Sequence, residues 1–145
     1  MIGLPHLHPA AVASLEKWHA MIARKDLGDL RSITHPEVVY RSPIAFNSDH
    51  SVEALVLAMS NAVQIFEDIN YHRQATTADG RNVVLEFSAK VGGKMAKGIE
   101  FIRFDDDGKI VEFEAMMRPL NAAQALAAEM AKRVSGAITA ASEVK

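Results

Sequence analysis

The chain contains no cysteine, which excludes a disulfide framework, a zinc–thiolate site, an iron–sulfur cluster and a thiol nucleophile. Net charge is also scarce. The 16 Lys and Arg stand against 18 Asp and Glu, giving −2, whereas neutralising a phosphate backbone needs a basic excess. Nucleic acid is therefore not an expected partner. No apolar run approaches the roughly 18 residues of a membrane span. The opening Met-Ile-Gly-Leu-Pro-His-Leu-His-Pro lacks a basic region and is broken by Pro5 and Pro9, unlike a secretory signal. Gly-rich phosphate loops, a Walker lysine and a G-x-S-x-G elbow are missing too. What is there is ordinary: 145 residues, 49% hydrophobic and 23% charged, enough for one globular domain with its own core. The expectation is a cytoplasmic domain that does not engage membranes.

Residues 1–13 are rich in Pro, His and Ala and read as an N-terminal arm. Ser14 then suits a helix N-cap, with Leu15, Trp18 and Ile22 at helical spacing. A second, short helix spans Leu27 to Ile33 and stops near His35-Pro36, because the residue before proline avoids helical geometry. Val38-Val39-Tyr40 is β-branched and aromatic, hence a strand, closed by Ser42-Pro43. A third helix fits Ser51 to Phe66, with Val52, Leu55, Met59 and Val63 on one stripe. From Ile69 the pattern changes to alternation. Strands are expected over Ile69–Thr76, Val83–Val91, Met95–Phe104 and Ile110–Arg118, punctuated by Asp79-Gly80, Gly92-Gly93 and Asp107-Gly108. Asn121 caps a last Ala-rich helix. One domain covers 14–135, and the tail 136–145 is expected to fray. Helices followed by an antiparallel meander make an α+β chain. A curved sheet wrapped over three helices encloses a cone-shaped cavity suited to a small ligand.

Two stretches carry a family resemblance. One is Ala23-Arg24-Lys25-Asp26-Leu27-Gly28-Asp29-Leu30 leading into Val38-Val39-Tyr40-Arg41-Ser42-Pro43. The other is Ile99-Glu100-Phe101-Ile102-Arg103-Phe104 followed by Asp105-Asp106-Asp107-Gly108-Lys109-Ile110. From Leu15 to Leu120 the chain resembles the nuclear transport factor 2-like superfamily, in its SnoaL-like and ketosteroid-isomerase-like branch. The resemblance implies a cone fold with a mixed curved sheet, a C-terminal helix, and dimerisation through the outer sheet face. It places Glu100 where the isomerases keep a protonated aspartic acid, Trp18 where they keep a donor tyrosine, and Ser42 where they keep the base aspartate. A serine without an adjacent base cannot shuttle a proton as that aspartate does, so steroid isomerisation is not expected.

Strand parity sorts the sheet. With Glu100 inward, Ala96, Gly98, Ile102 and Phe104 share its face, joined by Val83, Leu85, Phe87 and Ala89 and by Val111, Phe113, Ala115 and Met117. The opposite face carries Glu86, Ser88, Lys90, Lys97, Arg103, Glu112, Glu114 and Arg118. Glu100 is then the lone carboxyl in an apolar wall, where burial favours its neutral form. It can act as acid, as base or as hydrogen-bond donor; the alternative is a carboxyl satisfied by its neighbours and doing no chemistry.

Tyr40 and Ser42 share a strand face and would line the cavity with Trp18, Leu85, Phe87, Ile102, Phe104, Phe113 and Met117. Tyr40 is a candidate for orienting substrate, or a core aromatic. His72 would pair with Glu100 if it faces inward, or sits at the rim. No histidine or carboxylate spacing suggests a metal site, and no cofactor is expected. The Asp105–Asp107 run reads as a hairpin turn. Function is expected to be binding of a compact hydrophobic molecule, aromatic, polyketide- or terpenoid-like, with cofactor-free isomerisation, cyclisation or dehydration if it is an enzyme. The alternative is a non-catalytic binding or dimerisation module.

Overall fold

A computed structural model describes residues 4–143, with side chains through Arg133. Helix α1 spans Pro9–Arg24. It begins earlier than Ser14 because Pro9 fits the first helical turn and the ring of His8 accepts the Ala10 N–H at 3.2 Å. Ser14 is instead a buried helical residue whose hydroxyl donates to the Gly108 carbonyl at 2.5 Å. Leu4 and Leu7 are buried in the core, and the His8 amide donates to the Gly80 carbonyl. The stretch expected as an arm is thus packed onto the fold from residue 4.

The expected helix over Leu27–Ile33 is only a 3₁₀ turn, Leu30–Ile33, since the Asp26 carboxylate takes the Gly28 amide and makes a bend there. Strand β1 runs Thr34–Arg41, longer than Val38–Tyr40. Its register is irregular between Thr34 and Val39, where Pro36 has no amide to donate. Helix α2, Val52–Ile65, is capped by Ser51, whose hydroxyl accepts the Ala54 amide at 3.1 Å.

Strands β2 (Glu67–Thr76), β3 (Asn82–Val91), β4 (Lys94–Phe104) and β5 (Ile110–Arg118) follow as expected to within two residues. Gly92 and Gly93 both take positive φ in the two-residue turn between β3 and β4, a conformation glycine adopts without strain. At the Asp105–Asp107 turn, the Asp105 carboxylate accepts the amides of Asp107 and Lys109. Helix α3, Leu120–Glu143, starts one residue before Asn121. Its backbone is helical through part of the tail expected to fray; the side chains there lie outside the described residues.

The sheet order is β1-β5-β4-β3-β2, with β1 parallel to β5 and the other pairs antiparallel. Alternation along β4 follows the expected parity: Ala96, Gly98, Glu100, Ile102 and Phe104 are buried, while Lys97 and Arg103 are exposed. Two apolar clusters lie on the inner face. The larger holds Trp18, Leu15 and Met21 of α1 against Val83, Leu85, Ile102 and Phe113. The smaller joins Phe66, Phe87, Ala96 and Leu126. Each large side chain buried this way contributes roughly 1.5–3 kcal/mol.

The outer face bears ion pairs, and one departs from simple solvation. Glu86 is buried there, clasped by the Arg73 guanidinium (Nε–Oε1 2.8 Å) and by Lys97 at 3.1 Å. These cations hold its carboxyl well below the usual range.

Candidate functional site

A cavity of about 160 Å³ lies where the two clusters meet. β1 creates its mouth by stopping. The last β1–β5 pair is Arg41 with Glu114, because Ser42-Pro43 turns the chain away, leaving Ala115–Arg118 of β5 without a β1 neighbour. The Ser42 hydroxyl accepts the amides of Ile44 and Ala45 and stabilises that turn. The loop is closed at its base by paired backbone bonds between Tyr40 and Asp49, both 2.8 Å.

Glu100 is brought into this cavity by β4, and only 5% of it is exposed. Burial pushes its carboxyl up to about 7, since an anion loses hydration there without a cation to replace it. One bond resists that rise: the Tyr71 hydroxyl donates to Glu100 Oε1 at 2.9 Å. The Tyr71 phenol is itself raised well above 10 by burial and by the facing Glu100 charge and bond, with Trp18 acting weakly the other way. Trp18 lies toward that hydroxyl without a hydrogen bond of normal geometry, and its indole N–H is buried and unpartnered among the described residues. His19 packs edge-on against Tyr71, ring centroids 4.8 Å apart, and burial lowers its pKa by disfavouring the charged ring. Tyr40 lines the same cavity; burial pushes its phenol up to about 12, keeping it an O–H donor throughout the physiological range.

The other expected residues divide. Ser42, Phe87 and Met117 line the cavity beside Glu100 and Tyr40. Trp18, Leu85, Ile102, Phe104 and Phe113 do not: all are at most 2% exposed and fill the closed end of the cone. Trp18 and Phe113 pack there with centroids 5.2 Å apart. His72 is not brought to Glu100. It projects from the opposite face of β2, exposed, with Nε2 2.7 Å from the Ser88 hydroxyl. Tyr71, one residue earlier and hence of opposite parity, occupies the inward position expected of His72. The only sign of this was apolar: Ile69 and Tyr71 alternate in an otherwise polar strand.

The remaining wall is soft. Met59, Met116, Met117 and Met130 all reach it, and flexible thioethers adapt to differently shaped ligands. Gly98 is required behind them. A Cβ there would lie 2.6 Å from the Met116 carbonyl oxygen and 2.7 Å from the Phe87 ring, which crosses β4 at that point. Among the described residues no group of three His, Asp or Glu side chains converges to hold a metal ion, and no helix is long and apolar enough to cross a membrane.

Comparison with known proteins bears on this arrangement. The SnoaL-like domain family matches residues 15–113. A steroid delta-isomerase from Pseudomonas aeruginosa is 47% identical, with a TM-score of 0.91 over 94% of this chain and 99% of its own. An uncharacterised protein of cystatin-like fold from Silicibacter pomeroyi is 24% identical, with a TM-score of 0.80 over 90% of this chain and 89% of its own. SalBIII, an epoxide hydrolase/cyclase-like enzyme of pyran ring formation in salinomycin, shares the fold at 11% identity, with a TM-score of 0.64 over 77% of this chain and 92% of its own. No curated protein matches. With a family match across most of its length and a near-full-length relative at this identity, the chain belongs to the SnoaL-like branch of the nuclear transport factor 2-like superfamily.

Proposed function

We propose that this protein is a cofactor-free isomerase or cyclase that moves a proton on a small hydrophobic carbonyl compound, with Glu100 as the group that moves it. The observation carrying this reading is a buried carboxyl that titrates near neutrality at the wall of an apolar cavity. A base of that strength exchanges protons in both directions at working pH. Tyr71 engages Oε1 and fixes the carboxyl plane, leaving Oε2 without a protein donor among the described residues. A carbonyl placed against the Tyr40 hydroxyl would receive a hydrogen bond as enolate character develops, while Glu100 takes the proton from the adjacent carbon and returns it elsewhere. Isomerisation, aldol-type cyclisation and dehydration all use this step. The 47% identical steroid delta-isomerase supports the isomerase class. Ser42 argues against the same base being used, because its hydroxyl is engaged with backbone amides.

A test is deuterium incorporation from deuterium oxide into a β,γ-unsaturated cyclohexenone, followed by NMR. Exchange should fall by about 10²-fold or more in Glu100→Gln, the usual worth of a positioned proton carrier. Exchange that persists unchanged removes Glu100 from the mechanism. Binding without exchange in the wild type would favour the second reading, a ligand-binding module, for which the observation is that Glu100 is the cavity's sole carboxyl among the described residues. A homodimer through the outer sheet face is part of the proposal. It is supported by the exposed Met95 and Met116 beside partly buried Ile99 and Phe101 on that face, and is tested by mass from light scattering.

A further inference from the structure

A donor with nothing to bond stands behind the Glu100 cavity. Trp18 is wholly buried in the closed end of the cone (0% exposed), and its indole N–H has no hydrogen-bond partner among the described residues. A buried donor left unpaired gives up its hydration for no return. Packing does not account for the nitrogen, since the contact with Phe113 is made by the ring alone and a purely hydrocarbon aromatic would make it without that cost.

The acceptor toward which the indole lies is the Tyr71 hydroxyl, whose phenol it acts on by lowering the pKa. That hydroxyl spends its one proton on Glu100 Oε1 at 2.9 Å and keeps its lone pairs. An indole only donates, so the polarity of the row is fixed: Trp18 of α1, then Tyr71 of β2, then Glu100 of β4. His19, the next residue of α1, braces the Tyr71 ring edge-on.

Such a row responds to charge. An ionised carboxyl pulls harder on the Tyr71 proton, which makes the phenol oxygen a better acceptor for the next donor along. Few other groups compete for that role. Tyr40 of β1 faces the cavity with a phenol, and His19 touches Tyr71. Among the described residues α2, α3, β3 and β5 line the cavity only with hydrocarbon and thioether side chains.

We propose that Trp18 is a positioning residue for Glu100, acting through Tyr71: its N–H closes on the Tyr71 oxygen as Glu100 gives up its proton, and the indole so supports a carboxylate it does not contact. This rests on the reading of Glu100 as proton carrier and deepens it. Part of what keeps a cation-free carboxylate usable as a base is assigned to a side chain sealed off from the cavity.

Trp18 is the sole tryptophan, so the intact protein gives one indole N–H resonance, readable by NMR without substrate. In the wild type it should move downfield as pH rises, with the midpoint of the Glu100 carboxyl followed in the same sample. Tyr71→Phe should abolish most of that movement, although the carboxyl still titrates. Movement that survives in Glu100→Gln would come from His19 and would overturn the relay. The second arm replaces Trp18 by benzothienylalanine, which carries sulfur in place of the N–H at nearly the same shape. It keeps the core filled, as Trp18→Phe would not. The Glu100 midpoint should then rise by about half a pH unit, roughly threefold in proton affinity, toward the low end of what one net hydrogen bond is worth. In Tyr71→Phe the same replacement should shift nothing. An indole resonance indifferent to pH, an unmoved midpoint, or a shift undiminished in Tyr71→Phe would each refute the relay and leave the role of Glu100 standing. Deuterium exchange unchanged in Glu100→Gln, with the resonance behaving as described, would remove the catalytic reading alone.

Discussion

Glu100 is destabilising when charged, and that makes it measurable without a substrate. Its carboxyl rises from an ordinary 4.5 to about 7 in the folded protein because burial strips its hydration. Between those two values the folded state binds a proton that the unfolded state has released. Stability therefore falls as pH rises through this window, opposite to a salt-bridged carboxylate. A tenfold change in proton affinity is worth about 1.4 kcal/mol, so full ionisation costs about 3 kcal/mol. Glu100→Gln keeps a side-chain oxygen for the Tyr71 hydroxyl and nearly the same volume, but has no charge to bury. Below pH 4.5 the two proteins should be equally stable within about 1 kcal/mol. By about pH 8 the variant should be more stable by about 3 kcal/mol, some 10 °C in melting temperature for a chain of this size.

The assay is urea or thermal unfolding of both proteins across that range at one fixed protein concentration, since assembly would itself shift the midpoint. Taking the difference between the two curves cancels every other titrating group, Glu86 included. A difference that stays flat with pH would refute the buried, cation-free environment deduced for Glu100. So would a wild type that gains stability relative to the variant as pH rises.

Three further outcomes follow from neighbouring contacts. Tyr71→Phe removes the bond that holds the Glu100 carboxyl down, so its titration midpoint, followed by carboxyl NMR, should move upward by ~1 pH unit; no movement would separate the two groups. Gly98→Ala drives a methyl into the Met116 carbonyl and the Phe87 ring and should cost about 2 kcal/mol in urea unfolding, with part of it recovered by adding Phe87→Leu. Ser14→Ala leaves the buried Gly108 carbonyl without the hydroxyl donor and should cost about 1–2 kcal/mol; a neutral result would mean that water replaces the hydroxyl.

The inner face of the sheet was legible because β3, β4 and β5 alternate cleanly and because Glu100 breaks that alternation in charge but not in position. Depth was not legible. Parity assigns Leu85, Ile102, Phe104 and Phe113 to the inside, but it cannot tell the filled apex of a cone from its open mouth; that depends on how closely Trp18 and Leu15 of α1 approach. Strand β2 defeated parity outright. Only Ile69 and Tyr71 hint at an inner side, and its pairing slips between Glu67 and Asn70 and again between Tyr71 and Gln74, with Asp68 at positive φ. Each slip can exchange the two faces, so the choice between Tyr71 and His72 waited on the three-dimensional pairing. The N-terminal segment misled for another reason. Pro5, Pro9 and two histidines suggest a solvated arm, yet Pro9 starts α1, His8 caps it, and Leu4 and Leu7 reach the core.

The missing side chain at Gly98 thins the sheet to its backbone at one point. Phe87 crosses that gap from within, and a groove lined by Gly98, Met116, Met117, Arg73 and Lys97 opens on the other side. The two methionines belong to both surfaces. Interior and exterior are here separated by a single layer of backbone, bordered on both sides by the same two residues. If a second copy covers the outside and a ligand fills the inside, as proposed, both would press on these same two residues. Whatever free energy the first contributes to the second, the second returns in equal measure.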